Sequence, residues 1–348
     1  GTGHFPNNPP VGAVLSAILK GGPKARTLSG GWFETATGAL CHRHFGRRQG
    51  EIGVYLDLEP DGTELLTESH WAFVEGFSPF TADVLLAVLA QLCDPCVGSR
   101  PKYPAAAAIP ITANAILNYK GLKSWGLGRA AARAKVIEEM QRLSRILFDV
   151  HYYPVWDSGS RRWNSQGVSI VGDRLFDIVR AQVYRDSDEV HAEDAVWFVR
   201  VGQWGQWWLN AQGTVWQAPL PRQVLEFDHR ANRAPHALAK KIAVNTLVLW
   251  ASDRSRVFLE RRIDHLLEAV GELPRPEYRS AHWAGRMRDR LEEALLLLEE
   301  AGFLAKVDWA PECAPGSGTR SKGWVKHWLP SKMVLYIGES LEIQEKAA

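Results

Sequence analysis

Apolar residues recur along this chain in two rhythms, one of three and four residues and one of two, and the switches between them mark its elements. A helix start stands at Ser78-Pro79-Phe80-Thr81. Val84, Leu85, Val88, Leu89 and Leu92 then fall on one face before Asp94-Pro95 closes the run. A second start stands at Ile111-Thr112, with Thr112 as N-cap ahead of Ala115, Ile116 and Tyr119 and with Gly121 as a left-handed C-cap. After the polar stretch from Ser124 to Gly128, a long helix from about Arg129 carries Val136, Met140, Leu143 and Leu147, the stripe of a helix packed by one face. Residues 148–156 read as a strand, 157–166 as a polar tip, and Val168 to Val171 as the returning strand.

Further along, Val196 to Val201 and a Trp-rich stretch to Trp216 lead into residues 220–227, and a linker is expected around 228–235. The plan then repeats. A helix is expected from about His236 to Trp250, a short one from Ile263 to Val270 ending at Gly271, and a third from near Ser280 with Met287, Leu291, Ala294 and Leu298 on one face. Gly302 ends it, and residues 303–309, a Gly/Pro/Ser-rich tip over 310–323 and residues 324–337 form a second hairpin. Helix, helix, helix, hairpin is the winged-helix order, present twice as an internal repeat that is weak in identity. Residues 1 to about 76 lack strong helical periodicity; Gly30-Gly31, Gly38, Gly50 and Asp61-Gly62 punctuate short runs such as Ile52 to Leu56. The expected fold is therefore α+β and mainly helical. It comprises a β-rich N-terminal extension (1–76), two tandem winged-helix domains (77–227 and 228–340) and a tail (341–348).

With 348 residues, 46% of them hydrophobic, the chain can fill two cores, and its composition is not that of a disordered protein. No apolar run approaches the roughly 20 residues of a membrane span, and Gly1 to Asn8 do not read as a signal peptide, so a cytoplasmic protein with no membrane partner is expected. Four cysteines (Cys41, Cys93, Cys96, Cys313) do not make a disulfide framework. Fifteen tryptophans could line a core, a seam or a nucleic-acid surface.

A net charge of +2 does not announce a partner, but its distribution does. Between Lys120 and Arg145 stand seven cations against two carboxylates, and between Arg275 and Arg290 five against two. Both excesses fall at the starts of expected long helices, where side chains entering a major groove must reach base edges. Candidate base-reading residues are Arg129, Arg133 and Lys135 in the first unit and Arg279, His282, Arg286, Arg288 and Arg290 in the second. Lys120, Lys123, Arg161, Arg162, Arg320 and Lys322 suit phosphate contacts, which position without specifying. For each cation the plain alternative is a solvated basic face.

The arrangement resembles the replication initiators of iteron-containing plasmids, the family that includes TrfA and RepE. The resemblance is carried by Ile111-Thr112 through Lys123, Arg129 to Leu147, Trp197 to Leu209, Leu238 to Trp250, Arg286 to Phe303 and Trp324 to Leu329. It implies sequence-specific binding of double-stranded DNA at repeated origin sites, with much of the recognition in Arg279 to Arg290. It also implies host initiator and helicase as partners, and a homodimer. The β-rich start and the abundance of tryptophan depart from that family.

Other readings compete. A transcriptional regulator or partition-type protein shares the fold, and winged helices can bind protein instead. Cys41-His42-Arg43-His44 with Tyr152-Tyr153 offers the parts of a rolling-circle nickase, but Arg43 puts a cation between the two metal ligands. Cys93 and Cys96, with Cys41 and a histidine, could complete a zinc site, although only one such pair exists. No phosphate-loop signature occurs, and Glu138-Glu139, Glu292-Glu293 and Glu299-Glu300 read as solvated helix faces. No catalytic residue, cofactor or metal is expected.

Overall fold

The computed structural model describes residues 3–45, 50–58, 66–93, 108–121, 127–154, 156–157, 162–163, 167–185, 192–208, 217–220, 222–228, 234–251, 257–315 and 323–338. Strand β1 (Gly3–Pro6) leads into α1 (Pro9–Leu19), where the Asn8 side chain caps the helix by accepting from the Val11 amide at 3.1 Å. Strands β2 (Phe33–Glu34), β3 (Leu40–Phe45) and β4 (Glu51–Leu56) follow, then α2 (Leu66–Glu75) and α3 (Pro79–Cys93). Every residue of α3 from Phe80 to Ala90 is buried, which makes it a core helix rather than a surface one.

Strand β5 (Ile109–Thr112) then runs without a break into α4 (Ala113–Tyr119), capped as its sequence implies by Thr112, which accepts from the Ala115 amide at 2.9 Å. The long helix α5 (Leu127–Leu143) leads to β6 (Ile146–Tyr153), β7 (Trp156–Asp157), β8 (Arg162–Trp163) and β9 (Val168–Asp173). Next come β10 (Phe176–Arg185), β11 (Ala192–Val201), α6 (Gly205–Trp208), β12 (Gln217–Leu220) and α7 (Arg222–Glu226). The C-terminal part is α8 (Ala234–Ala251), β13 (Phe258–Arg262), α9 (Ile263–Ala269), α10 (Trp283–Glu300), β14 (Leu304–Trp309), α11 (Val325–Trp328) and β15 (Lys332–Ile337).

Two antiparallel three-stranded sheets share one strand order. In the C-terminal sheet it is β13-β15-β14, and in the middle sheet it is β5-β11-β10. Each time the strand before the short helix pairs with the second strand of the hairpin that follows the long helix. The short helices α4 and α9 are both seven residues long. Each is followed by a glycine in the left-handed region, Gly121 at φ 73° and Gly271 at φ 64°. The repeat expected from the sequence is thus one of topology.

The hairpin expected over 148–171 is not the one that closes the first unit. Strands β6 and β9 instead complete a five-stranded sheet, β2-β3-β4-β6-β9, with Ile52 opposite Val150 and Val54 opposite Phe148. The inward residues Leu40, Ile52, Val54, Phe148 and Val150 bury the same face of that sheet, which satisfies a pattern indistinguishable from a wing strand. The closing hairpin is β10–β11. Residues 1–76, expected as an extension, are likewise built into the molecule, because β4 pairs with β6 and β1 with β12. They also contain two helices, α1 and α2. The buried apolar residues form one contiguous cluster across all these parts. Among the described residues no single helix is long and apolar enough to cross a membrane.

Candidate nucleic-acid interface

In the C-terminal unit, the α9–α10 connection is Pro-rich and ends in a 3-10 turn (Pro276–Tyr278), which delivers the chain to the start of α10. His282 occupies the N-cap position with no side-chain capping bond and is exposed. Arg279 donates through Nε to the Pro274 carbonyl at 2.9 Å and lies over the Trp283 ring at 5.3 Å, which aims its guanidinium along the helix start. Arg286 is exposed and reaches back to the Ser280 hydroxyl at 3.2 Å. Exposed Arg275, part of the basic cluster but not among the candidate contacts, borders the same end, as does exposed Tyr278, which the sequence does not single out.

The outward face of α10 runs His282, Arg286, Asp289, Glu293, Leu296, Glu300, basic at its first turns and acidic thereafter. No acid stands in the first turn and no base in the last. This polarity opposes the helix dipole, which favours anions at the N-terminus and cations at the C-terminus by about 0.3–1 kcal/mol each. An isolated helix gains nothing from it. An anionic partner at the N-terminal end makes the same arrangement favourable.

Two other predicted contacts of α10 serve the interior instead. Arg288 is buried, bonded to Glu292 at 2.8 Å and to the Ala314 carbonyl at 2.9 Å, with its guanidinium over Trp324. Arg290 donates to Glu272 at 2.8 Å and to the Ala234 carbonyl at 2.9 Å. The three-and-four rhythm that puts Met287 and Leu291 inward brings their neighbours Arg288 and Arg290 to the helix flanks, within reach of buried partners.

In the first unit, of the predicted reading residues on α5 only Lys135 is exposed, with its ammonium 5.6 Å from the Phe80 ring. Arg133 is half-buried. Arg129 is buried and braces α5 against α4 through Asn114 and Asn118, each at 2.9 Å. Lys120 is buried against Asp83 and donates to the Leu225 carbonyl at 3.1 Å, so it is no phosphate contact. Arg162 lies in β8, where Asp157 is its strand partner. Lys123, Arg161, Arg320 and Lys322 lie outside the described residues, as do residues 186–191 and 316–322 of the two closing hairpins. The β10–β11 hairpin adds exposed Arg180 and Arg200, the latter paired to Asp177 at 3.2 Å. The sequence pattern does not single them out, because it places the closing hairpin at 148–171. At its base a concavity of 510 Å³ is lined by Ser144, Arg174, Asp177, Ile178, Val179 and Arg200. Its arginines are neutralised by Asp57 and Asp177.

His42 is buried beside Ser16 and the Gly31 carbonyl, and burial, then the charge of Lys20, lowers its pKa to about 3. Tyr152 is exposed, whereas Tyr153 packs edge-on against Trp208. Among the described residues no group of three His, Cys, Asp or Glu is placed to hold a metal. Cys96 lies outside them. Glu138 is exposed as expected, but Glu139 is buried, accepting from Thr81 at 2.8 Å and paired with Arg142 at 2.8 Å, so that acidic pair is not a solvated face.

No protein-family model matches the chain, and no curated protein matches it. Its backbone is similar to two crystal structures of RctB domains 2 and 3, one of them of selenomethionine derivatives. The first has 10% identity and a TM-score of 0.44 over 94% of this chain and 99% of that one. The second has 10% identity and a TM-score of 0.43 over 93% and 99%.

Proposed function

We propose that this chain binds a specific double-stranded DNA site through two winged-helix units, with α5 and α10 as reading helices. The observation that carries the reading is the reversed charge polarity of α10. Arg279, His282 and Arg286 crowd the end that the dipole makes positive, in a helix that follows a short helix and precedes a hairpin pairing back across it. On this reading Arg286 addresses base edges, Arg275 and Arg279 the flanking phosphates, and Lys135 the backbone at the first unit. The resemblance of the sequence pattern to plasmid replication initiators extends the proposal. The site is a repeated origin sequence, and assembly of several protomers on it, with a host initiator and helicase, opens an adjacent AT-rich tract.

The test is a titration of the full chain against fragments of its native replicon at two salt concentrations, with Arg286→Ala in parallel. Salt-sensitive binding to a fragment with direct repeats, weakened about tenfold by Arg286→Ala, is the expected result. Preference for a palindrome instead favours a regulator, and binding indifferent to both sequence and salt overturns the proposal.

A further inference from the structure

We infer that a buried chain of ion pairs through α8 holds the two reading helices at one mutual placement, so that the duplex site must present its two contacts at a fixed spacing. The inference rests on the DNA reading above. Neighbouring residues of a helix point about 100° apart, and the adjacent lysines of α8 use that divergence. Lys240, wholly buried, meets Asp83 of α3 at 2.6 Å and donates to the Val224 carbonyl of α7. Lys120, at the C-cap of α4 just ahead of α5, meets the same carboxylate. Lys241 turns the other way, to Glu272 at 2.9 Å, and Arg290 of α10 holds the second oxygen of that carboxylate at 2.8 Å. The path therefore runs from the turn before α5, through α8, onto α10.

Apolar seams are non-directional and tolerate sliding, whereas a buried ion pair does not. Rotating α8 against the first unit leaves Asp83 to Lys120 and strands the buried ammonium of Lys240, and rotating it against the second takes Lys241 off Glu272, which Arg290 still holds. The excess cation around Asp83 is offset by the Val224 and Leu225 carbonyls, which converge on Lys240 and Lys120, and by the charge of Asp228. Intermediate placements leave charges buried and unpaired, which makes the seam a fixed joint. On DNA of about 10.5 base pairs per turn, one inserted base pair rotates the far contact by roughly 34°, which a fixed joint cannot follow.

Two measurements on the full chain test this. Spin labels at Glu138→Cys and Glu293→Cys, both exposed positions, in a background with the four native cysteines replaced, report the distance between α5 and α10 without DNA. The wild-type seam is expected to give one narrow distribution. Asp83→Asn/Lys240→Met, or Lys241→Met/Glu272→Gln should the first pair not fold, is expected to broaden it. In parallel, a duplex selected by the wild-type seam from a randomised library is lengthened by one to five central base pairs. One insertion is expected to weaken wild-type binding at least tenfold and variant binding less than threefold. Equal distance distributions, or equal insertion penalties, overturn the inference. A narrow wild-type and a broad variant distribution with no duplex enriched retain the joint, and overturn the DNA reading and the spacing claim built on it.

Discussion

Among the described residues the candidate cations fall into two populations that their residue type does not distinguish. Arg129, Arg288 and Arg290 brace neighbouring elements through carboxylates, amides and carbonyls, whereas exposed His282 and Arg286 and half-buried Arg279 stand at a helix start. Truncation separates them. Arg129→Ala and Arg288→Ala are expected to lower stability by about 1.5–3 kcal/mol, because each removes a buried guanidinium and the charge-assisted hydrogen bonds it makes, with the urea midpoint as the measurement. Arg286→Ala is expected to leave that midpoint within experimental scatter while weakening DNA binding and flattening its salt dependence. A destabilised Arg286→Ala would move that residue into the structural population.

Lys240 supplies a pH-dependent counterpart. Burial lowers its pKa from the ordinary 10.5 to about 8, against the opposing pull of Asp83. Between those two values the unfolded chain holds a proton that the folded chain has released, so this residue makes stability rise with pH from about 8 to 10.5 and contributes no slope below 8. Urea unfolding of the wild-type chain and of Lys240→Met at pH 7.5, 8.5 and 9.5 is expected to show the wild type gaining on the variant above pH 8. Parallel curves would sink the assignment.

At the scale of elements, the two short helices end in the same left-handed glycine with different surroundings. A Cβ on Gly121 would meet the flexible side chain of Glu226, whereas on Gly271 it would meet the Leu19 carbonyl oxygen at 2.5 Å and Lys20 Cα at 2.8 Å. Both substitutions carry the cost of a positive φ, about 1 kcal/mol, but only Gly271→Ala also pushes backbone against backbone. Gly271→Ala is therefore expected to cost at least twice as much as Gly121→Ala in unfolding free energy. Equal costs would mean that the N-terminal segment yields there. That segment also clasps the turn ahead of α10, since the Arg275 amide donates to the Thr27 carbonyl and the Ser29 amide to the Leu273 carbonyl, each at 2.8 Å. The position of α10 is in this way tied to residues far from it in sequence.

For the whole molecule, the shared sheet predicts that the parts do not fold alone. A fragment beginning at residue 77 loses β4, the partner of β6, and exposes both the edge and the apolar face that Ile52 and Val54 cover. It is expected to lack a cooperative thermal transition, whereas an independently folding fragment would show one. The local features were legible in the sequence: Thr112 and Gly121 bounding α4, the apolar stripe of α10 and that of α5 as far as Leu143, and the three helices of the C-terminal unit, but not β13 ahead of α9, nor α11 within a stretch that reads as strand, nor Leu147, which lies in β6. Each depends on neighbours within about one helical turn, where capping geometry and periodicity act. Tertiary structure alone decided which sheet the strands over 146–173 join, because an alternating strand satisfies any partner that buries the same face. It alone also decided which arginines face solvent. A guanidinium on a helix flank reaches either water or a buried carboxylate, and only packing brings Asp83 to Lys240 or Glu272 to Arg290 across long stretches of sequence.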